Sequence, residues 1–258
     1  MFKISIEPRE IEQLPLGTFP GEIKVIDKPG LEYERAMLYL RCQKVLGFDT
    51  ESRPVFSPGQ RSNGVALLQL SGPRKAYLFR VQTLGMRRSL CGLLSNPKIV
   101  KVGAASTDDV RGLQRLHGFK AAGFVDLQKI AWEWGIRDKS VKKLAANILG
   151  CRISKAQQLS NWEASVLSEA QCRYAATDAW VCREMYLKLQ ECEKHPLSPD
   201  EMLPPADKLA RDQARERKEA AAAEQQKQNA NAKVRRRHRR RNKKKSPDDK
   251  ADTETREG

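Results

Sequence analysis

The chain has 258 residues, 40% of them hydrophobic, with 48 Lys/Arg against 32 Asp/Glu for a formal net charge of +16, which suits one medium-sized domain with appendages. No apolar run approaches the ~20 residues of a membrane span, and the start MFKISIEPREIEQL lacks the charged-then-apolar order of a signal peptide. The 6 cysteines form no CxxC pair and none of the 3 histidines stands at zinc spacing, so neither a structural zinc site nor a disulfide scaffold is expected, and a soluble intracellular protein with reduced thiols is.

In chain order, residues 1–20 read as an irregular arm ending in Pro20-Gly21. Residues 22–26 alternate weakly as a short strand, Asp27-Lys28-Pro29-Gly30 is a turn, and 31–43 carry Ala36, Leu38 and Leu40 at helical spacing. Residues 44–51 (KVLGFDTE) are an apolar run ending in charge, the pattern of a buried strand with acids at its C-terminal edge. After a loop at 52–63, residues 64–71 and 75–80, separated by Gly72-Pro73, complete three strands in hairpin order. Strand and helix then alternate: a helix at 86–94, a strand at 98–102 closed by Gly103, and a helix at 106–117 opened by a Ser/Thr cap with two Asp in its first turn. Helices at 127–134 and 141–149 and a long one at 168–193 follow. Strands first and crossover helices afterwards predict an α/β fold, a mixed sheet flanked by helices.

Beyond Pro196 the periodicity is lost. From Ala206 onward 18 Lys/Arg face 10 Asp/Glu, a net +8, and residues 1–205 carry the other +8. Residues 233–245 hold ten Lys/Arg and no acid, so self-repulsion is expected to keep this run unfolded in isolation. A basic body with a still more basic end points to a polyanionic partner, nucleic acid or an anionic membrane; the density of the run favours nucleic acid. The expected organisation is an arm (1–20), a folded domain (21–195) and a basic, largely disordered tail (196–258).

Three acidic sites stand out, each unremarkable alone. Asp49 and Glu51 share one face of a strand end by period-two geometry, and two such close carboxylates raise each other's pKa unless a cation neutralises them. Asp108 and Asp109 open a helix, where acids are at home. Tyr174 and Asp178 stack at i,i+4 on the long helix, with Asp178 among Ala175, Ala176, Ala179 and Trp180; a carboxylate there needs a partner.

Together these sites, in this order, resemble the DEDD exonuclease superfamily, tyrosine branch, which includes ribonuclease D and the Werner-type exonuclease domain. The likeness extends to VALLQL at 65–70, Lys101-Val102-Gly103, LSNW at 159–162, LSEAQ at 167–171 and YAATDA at 174–179, and covers about residues 21–189. It implies an RNase H-like fold and a 3′-to-5′ exonuclease acting through two divalent metal ions, Mg²⁺ or Mn²⁺. Asp49, Glu51 and Asp178 would hold one ion; Asp49 would bridge to a second, held through water by Asp109. Asp108, one position off the family pattern, would cap its helix. Tyr174 would orient the attacking water.

Gln69 and Asn161 are candidate substrate contacts. Trp162 either packs in the core, the favoured reading, or stacks a base. Arg53 and Arg61 in the basic loop are candidate phosphate clamps. Arg235, Arg236, Arg237, Arg239, Arg240, Arg241, Lys243, Lys244 and Lys245 are candidate tail contacts. The expected partner is single-stranded or 3′-ended DNA or RNA, with no membrane and no obligate protein partner. The lack of an additional helical domain leans toward DNA. The expected location is cytoplasmic in a bacterium, nuclear or nucleolar in a nucleated cell. The alternative is a catalytically inactive nucleic-acid-binding scaffold, whose signature would be loss of an acid; all four are present.

Overall fold

The computed structural model describes residues 1–55, 64–219, 221, 224 and 225. In chain order the elements are α1 (Pro8–Glu12), β1 (Glu22–Ile26), α2 (Leu31–Arg41), β2 (Val45–Ser52), β3 (Val65–Ser71), β4 (Lys75–Arg80), α3 (Val81–Leu84), α4 (Arg88–Leu94), β5 (Val100–Gly103), α5 (Ser106–Leu116), β6 (Phe124–Asp126), α6 (Leu127–Ile130), a 3₁₀ turn (Ala131–Trp134), α7 (Val141–Leu149), α8 (Glu169–Gln190) and α9 (Pro199–Met202). These lie in a unit spanning Met1–Met202; a second unit begins at Leu203, and within it residues 205–219 are helical.

The six strands form one sheet in the order β1-β4-β3-β2-β5-β6. β3 pairs antiparallel with both β2 and β4, whereas β5 lies parallel to β2, β6 parallel to β5 and β1 parallel to β4. Hairpins make the antiparallel half and helical crossovers the parallel half, as the order of elements demands. Even-numbered β2 residues Leu46 and Phe48 face a core built with Tyr33, Met37 and Leu40 of α2 and Leu90, Leu93 and Leu94 of α4. On the opposite face α8 crosses β2, β3 and β5, and α7 packs against it, burying Val181, Met185 and Leu189 with Leu144 and Ile148. Among the described residues no helix is long and apolar enough to cross a membrane.

Several elements differ from the sequence expectation. The arm contains α1 and is not loose: Ile6 and Ile11 are buried against Ala146, and the Ile6 N–H and Ser5 hydroxyl both donate to Asp138 at 2.8 Å. The helix expected at 86–94 starts at Arg88. Strand β6 was not foreseen, and the helix expected at 127–134 is one α turn followed by a 3₁₀ turn. Asp108 does not cap α5: the N-cap position is Ala105 without a side-chain cap bond, and Asp108 is exposed with Arg111 at 3.4 Å.

Candidate active site

Strand β2 presents its odd residues to α8, so Gly47, Asp49 and Glu51 share that face. Gly47 is what lets the helix come close: a Cβ there would collide with the carbonyl oxygen of Ala179. The close approach sets Asp178, next along α8, over the strand end. One carboxylate oxygen each from Asp49, Glu51 and Asp178 lies within 4.8 Å of the other two. Asp109 joins from the first turn of α5, where its Oδ1 accepts a 2.6 Å hydrogen bond from the Thr50 hydroxyl.

This concentration of negative charge is unfavourable on its own. Burial, then the charges of Asp178 and Asp109, push the Asp49 carboxyl well above its ordinary range. Burial and the neighbouring acids push Glu51 up to about 10. Asp178 rises to about 7 through burial, with the Tyr174 hydroxyl and the charge of Lys155 pulling the other way. Asp109 is raised by burial, partly offset by the Thr50 hydrogen bond. Oxygen donors that repel one another in this way fit a hard divalent cation, which would hold them ionised together.

Tyr174, one turn before Asp178, packs its ring on Trp162 at 5.9 Å between centroids. Burial and the charges of Asp178 and Glu51 raise its hydroxyl above the ordinary phenol value, so at neutral pH it is a hydrogen-bond donor and not a base. Asp49, Glu51, Asp178 and Tyr174 line a cavity of about 300 Å³ together with Lys142, Ser154, Lys155 and Gln158. A larger cleft of about 620 Å³ meets it at Ser154, Tyr174 and Asp178.

The structure therefore gathers Asp49, Glu51, Tyr174 and Asp178, with Asp109 adjoining through Thr50. It corrects one substrate assignment, that of Gln69, and puts Trp162 in the core, the reading favoured from sequence. Gln69 and Trp162 are both 0% exposed, so neither is placed to touch a polymer: Gln69 lies on β3 directly opposite Asp49, and Trp162 packs with Leu67, Leu78, Ala175 and Ala176. Asn161 is exposed, but its side-chain oxygen accepts from the Glu163 N–H at 3.1 Å and it does not line the acidic cavity. Arg53 is exposed beside Glu163, 3.5 Å away. Arg61 and the tail cations from Arg235 to Lys245 lie outside the described residues. Sequence reasoning missed Thr50, Lys142 and Lys155. Thr50 had a signal, its place between the two strand acids; the two lysines sit in no pattern that separates them from other surface lysines.

Comparison with known proteins decides the kinship. The profile of the 3′-5′ exonuclease family matches residues 29–192. The chain belongs to that family. Among its exonuclease relatives, the mouse bifunctional 3′-5′ exonuclease/ATP-dependent helicase WRN is 34% identical over 193 residues, 69% of this chain and 13% of the relative. Ribonuclease D of Gluconacetobacter diazotrophicus is 34% identical over 129 residues, 49% of this chain and 33% of the relative. The chain thus spans a third or less of the length of these two relatives. The solved EXO domain of Aedes aegypti Nibbler shares the fold, with a TM-score of 0.58 and 21% identity over 68% of this chain and 91% of that one. The exonuclease family and the mixed sheet flanked by helices agree with the expectation from sequence.

Proposed function

We propose that this chain hydrolyses the terminal phosphodiester at a 3′ end of DNA or RNA, releasing a nucleoside monophosphate and leaving a new 3′-hydroxyl one nucleotide back. The observation that carries this is the convergence of Asp49, Glu51 and Asp178 within 4.8 Å, beside the Tyr174 hydroxyl. In this reading Asp49, Glu51 and Asp178 hold one Mg²⁺ or Mn²⁺, and Asp49 with Asp109 borders a second. When bound, the ions stabilise the charge that develops on the entering and leaving oxygens of the phosphodiester.

The chain's own residues do the rest. Tyr174 donates a hydrogen bond that orients the attacking water. Lys142 and Lys155, on the cavity wall, meet the phosphates as point charges. Among the described residues no histidine lines this cavity, and the chemistry needs none, because the four acids serve as ligands and not as bases. We assign the activity to residues 21–195 and a tethering role to the basic residues of 196–258.

The test is a time course on 3′-extended, 5′-labelled single-stranded DNA and RNA with Mg²⁺, Mn²⁺ or chelator. A ladder shortening from the 3′ end only with metal is expected, and the faster polymer names the substrate class. Tight binding of both polymers without cleavage under any metal would reject the reading.

A further inference from the structure

The helix that carries Asp109 starts on a strained residue. Ala105, with φ 57° and ψ 26°, is the non-glycine residue found at positive φ among the described residues. An alanine there pays a steric cost that glycine avoids, and such strain persists only where surrounding contacts over-determine it. The contact that does so comes from Asp126, at the end of β6 and in register beside Gly103. Asp126 Oδ1 accepts from the N–H of Ala105 and from the N–H of Gln128, each at 3.0 Å. Its other oxygen faces Lys129 Nζ at 3.8 Å, and its side chain is only 9% exposed. Lys129 in turn donates to Thr107 at 2.9 Å, so a second strut spans the same gap.

An aspartate that merely capped α6 would need only the bond to Gln128. The bond to Ala105, across 21 residues, serves the turn between β5 and α5. We propose that Asp126 is a positioning residue: its carboxylate clamps Ala105 in the left-handed conformation, which sets how α5 leaves the sheet and so where Asp109 stands beside the acidic cluster. The inference rests on the exonuclease reading above.

The experiment compares Asp126→Ala, Asp126→Asn, Ala105→Val, Ala105→Gly and the Asp126→Ala/Ala105→Gly pair. The readouts are single-turnover cleavage, substrate affinity, and Mn²⁺ binding by calorimetry without nucleic acid. Asp126→Ala is expected to slow saturated cleavage by about tenfold and to weaken Mn²⁺ binding by about threefold, with substrate affinity held. Asp126→Asn, which keeps an acceptor oxygen, stays within about threefold of the parent. Adding Ala105→Gly to Asp126→Ala regains about threefold, because glycine adopts the turn unaided. Ala105→Val, with Asp126 intact, reproduces the loss, and Ala105→Gly alone is neutral. Parent-like rates and Mn²⁺ affinity in either Asp126→Ala or Ala105→Val overturn the clamp, as does an Asp126→Ala defect that glycine does not restore. If Asp126→Ala does not fold, the two Ala105 variants decide. Parent protein that binds Mn²⁺ yet cleaves nothing sinks the exonuclease reading and leaves the Mn²⁺ titrations to judge the clamp.

Discussion

The Thr50 hydroxyl donates to Asp109 Oδ1 at 2.6 Å, so the residue between the two strand acids holds the acid that comes from another element. The pleat explains the division of labour: Asp49 and Glu51 point to α8, and Thr50 points away from them toward α5. Thr50→Val keeps the shape and the strand preference but removes the donor from a half-buried carboxylate. A hydrogen bond to a charged group is worth about 1.5–3 kcal/mol, so the variant should lose about tenfold to a hundredfold in kcat with KM little changed. Steady-state kinetics on a 3′-labelled oligonucleotide would show it. A Thr50→Val protein with parental kcat would mean that Asp109 needs no such hold.

The carboxylate cluster makes the metal-free protein sensitive to pH in a stated direction. Burial and mutual repulsion raise Glu51 to about 10 and Asp178 to about 7, and lift Asp49 in the same sense. Unfolded carboxyls titrate near 4. Between that pH and the raised folded values the native state binds more protons than the unfolded chain, so stability falls as pH rises. Chelated protein should therefore melt lower at pH 8 than at pH 6, and Mg²⁺ or Mn²⁺ should raise the midpoint more at pH 8. Asp49→Asn should raise the chelated midpoint at pH 8, each kcal/mol recovered being worth roughly 2–4 °C. Calorimetric scans at the two pH values check this; a chelated protein that gains stability toward pH 8 would contradict the charge state argued for the cluster.

The parts of the site that were legible in the sequence carry a period. Asp49 and Glu51 end an apolar run and must share a strand face, and Tyr174 and Asp178 are one helical turn apart. What failed had no period to read. Every residue of β3 is buried, because β2 and β4 flank it, α8 covers one face and α3 and α5 pack against the other; nothing in VALLQL distinguishes Gln69 as an inner residue from Gln69 as a substrate contact. For Trp162 only the alternative of base stacking fails: it follows the exposed Asn161 and is buried, as the favoured reading had it, by side chains that α8 and the sheet bring from elsewhere in the chain. Strand β6 is three residues long and half-buried throughout, too short for alternation to register. Its final residue, Asp126, is polar at a strand end, which is ordinary until the bond to Ala105 is seen.

Burial also separates the roles of Tyr174 and Trp162, whose rings meet at 5.9 Å. Tyr174→Phe retains the ring contact and removes only the hydroxyl, so its melting point should hold while kcat falls about a hundredfold to a thousandfold, the scale seen for loss of one preorganised donor. Trp162→Phe leaves the hydroxyl in place and thins a fully buried layer. That variant should lose about 1–3 kcal/mol of stability through the cavity created, with substrate affinity unchanged. The pair is measured by melting and by kcat and KM on one oligonucleotide. Weakened substrate binding in Trp162→Phe without a change in melting would return that residue to the substrate side.

The tail carries its prediction on charge alone. Residues 233–245 hold ten Lys/Arg and no acid, and each phosphate that such a cation neutralises on a single strand contributes about −0.7 to the slope of log K against log salt. Deleting residues 233–258 removes these cations without touching β2, α5 or α8. Affinity for single-stranded nucleic acid should therefore drop at low salt and the slope should flatten, while single-turnover cleavage of saturating substrate stays near the parental rate. Fluorescence anisotropy across a salt series, read beside that cleavage rate, makes the comparison. An unchanged slope would mean that these cations do not meet phosphate, and a lost cleavage rate at saturation would mean that they do more than tether.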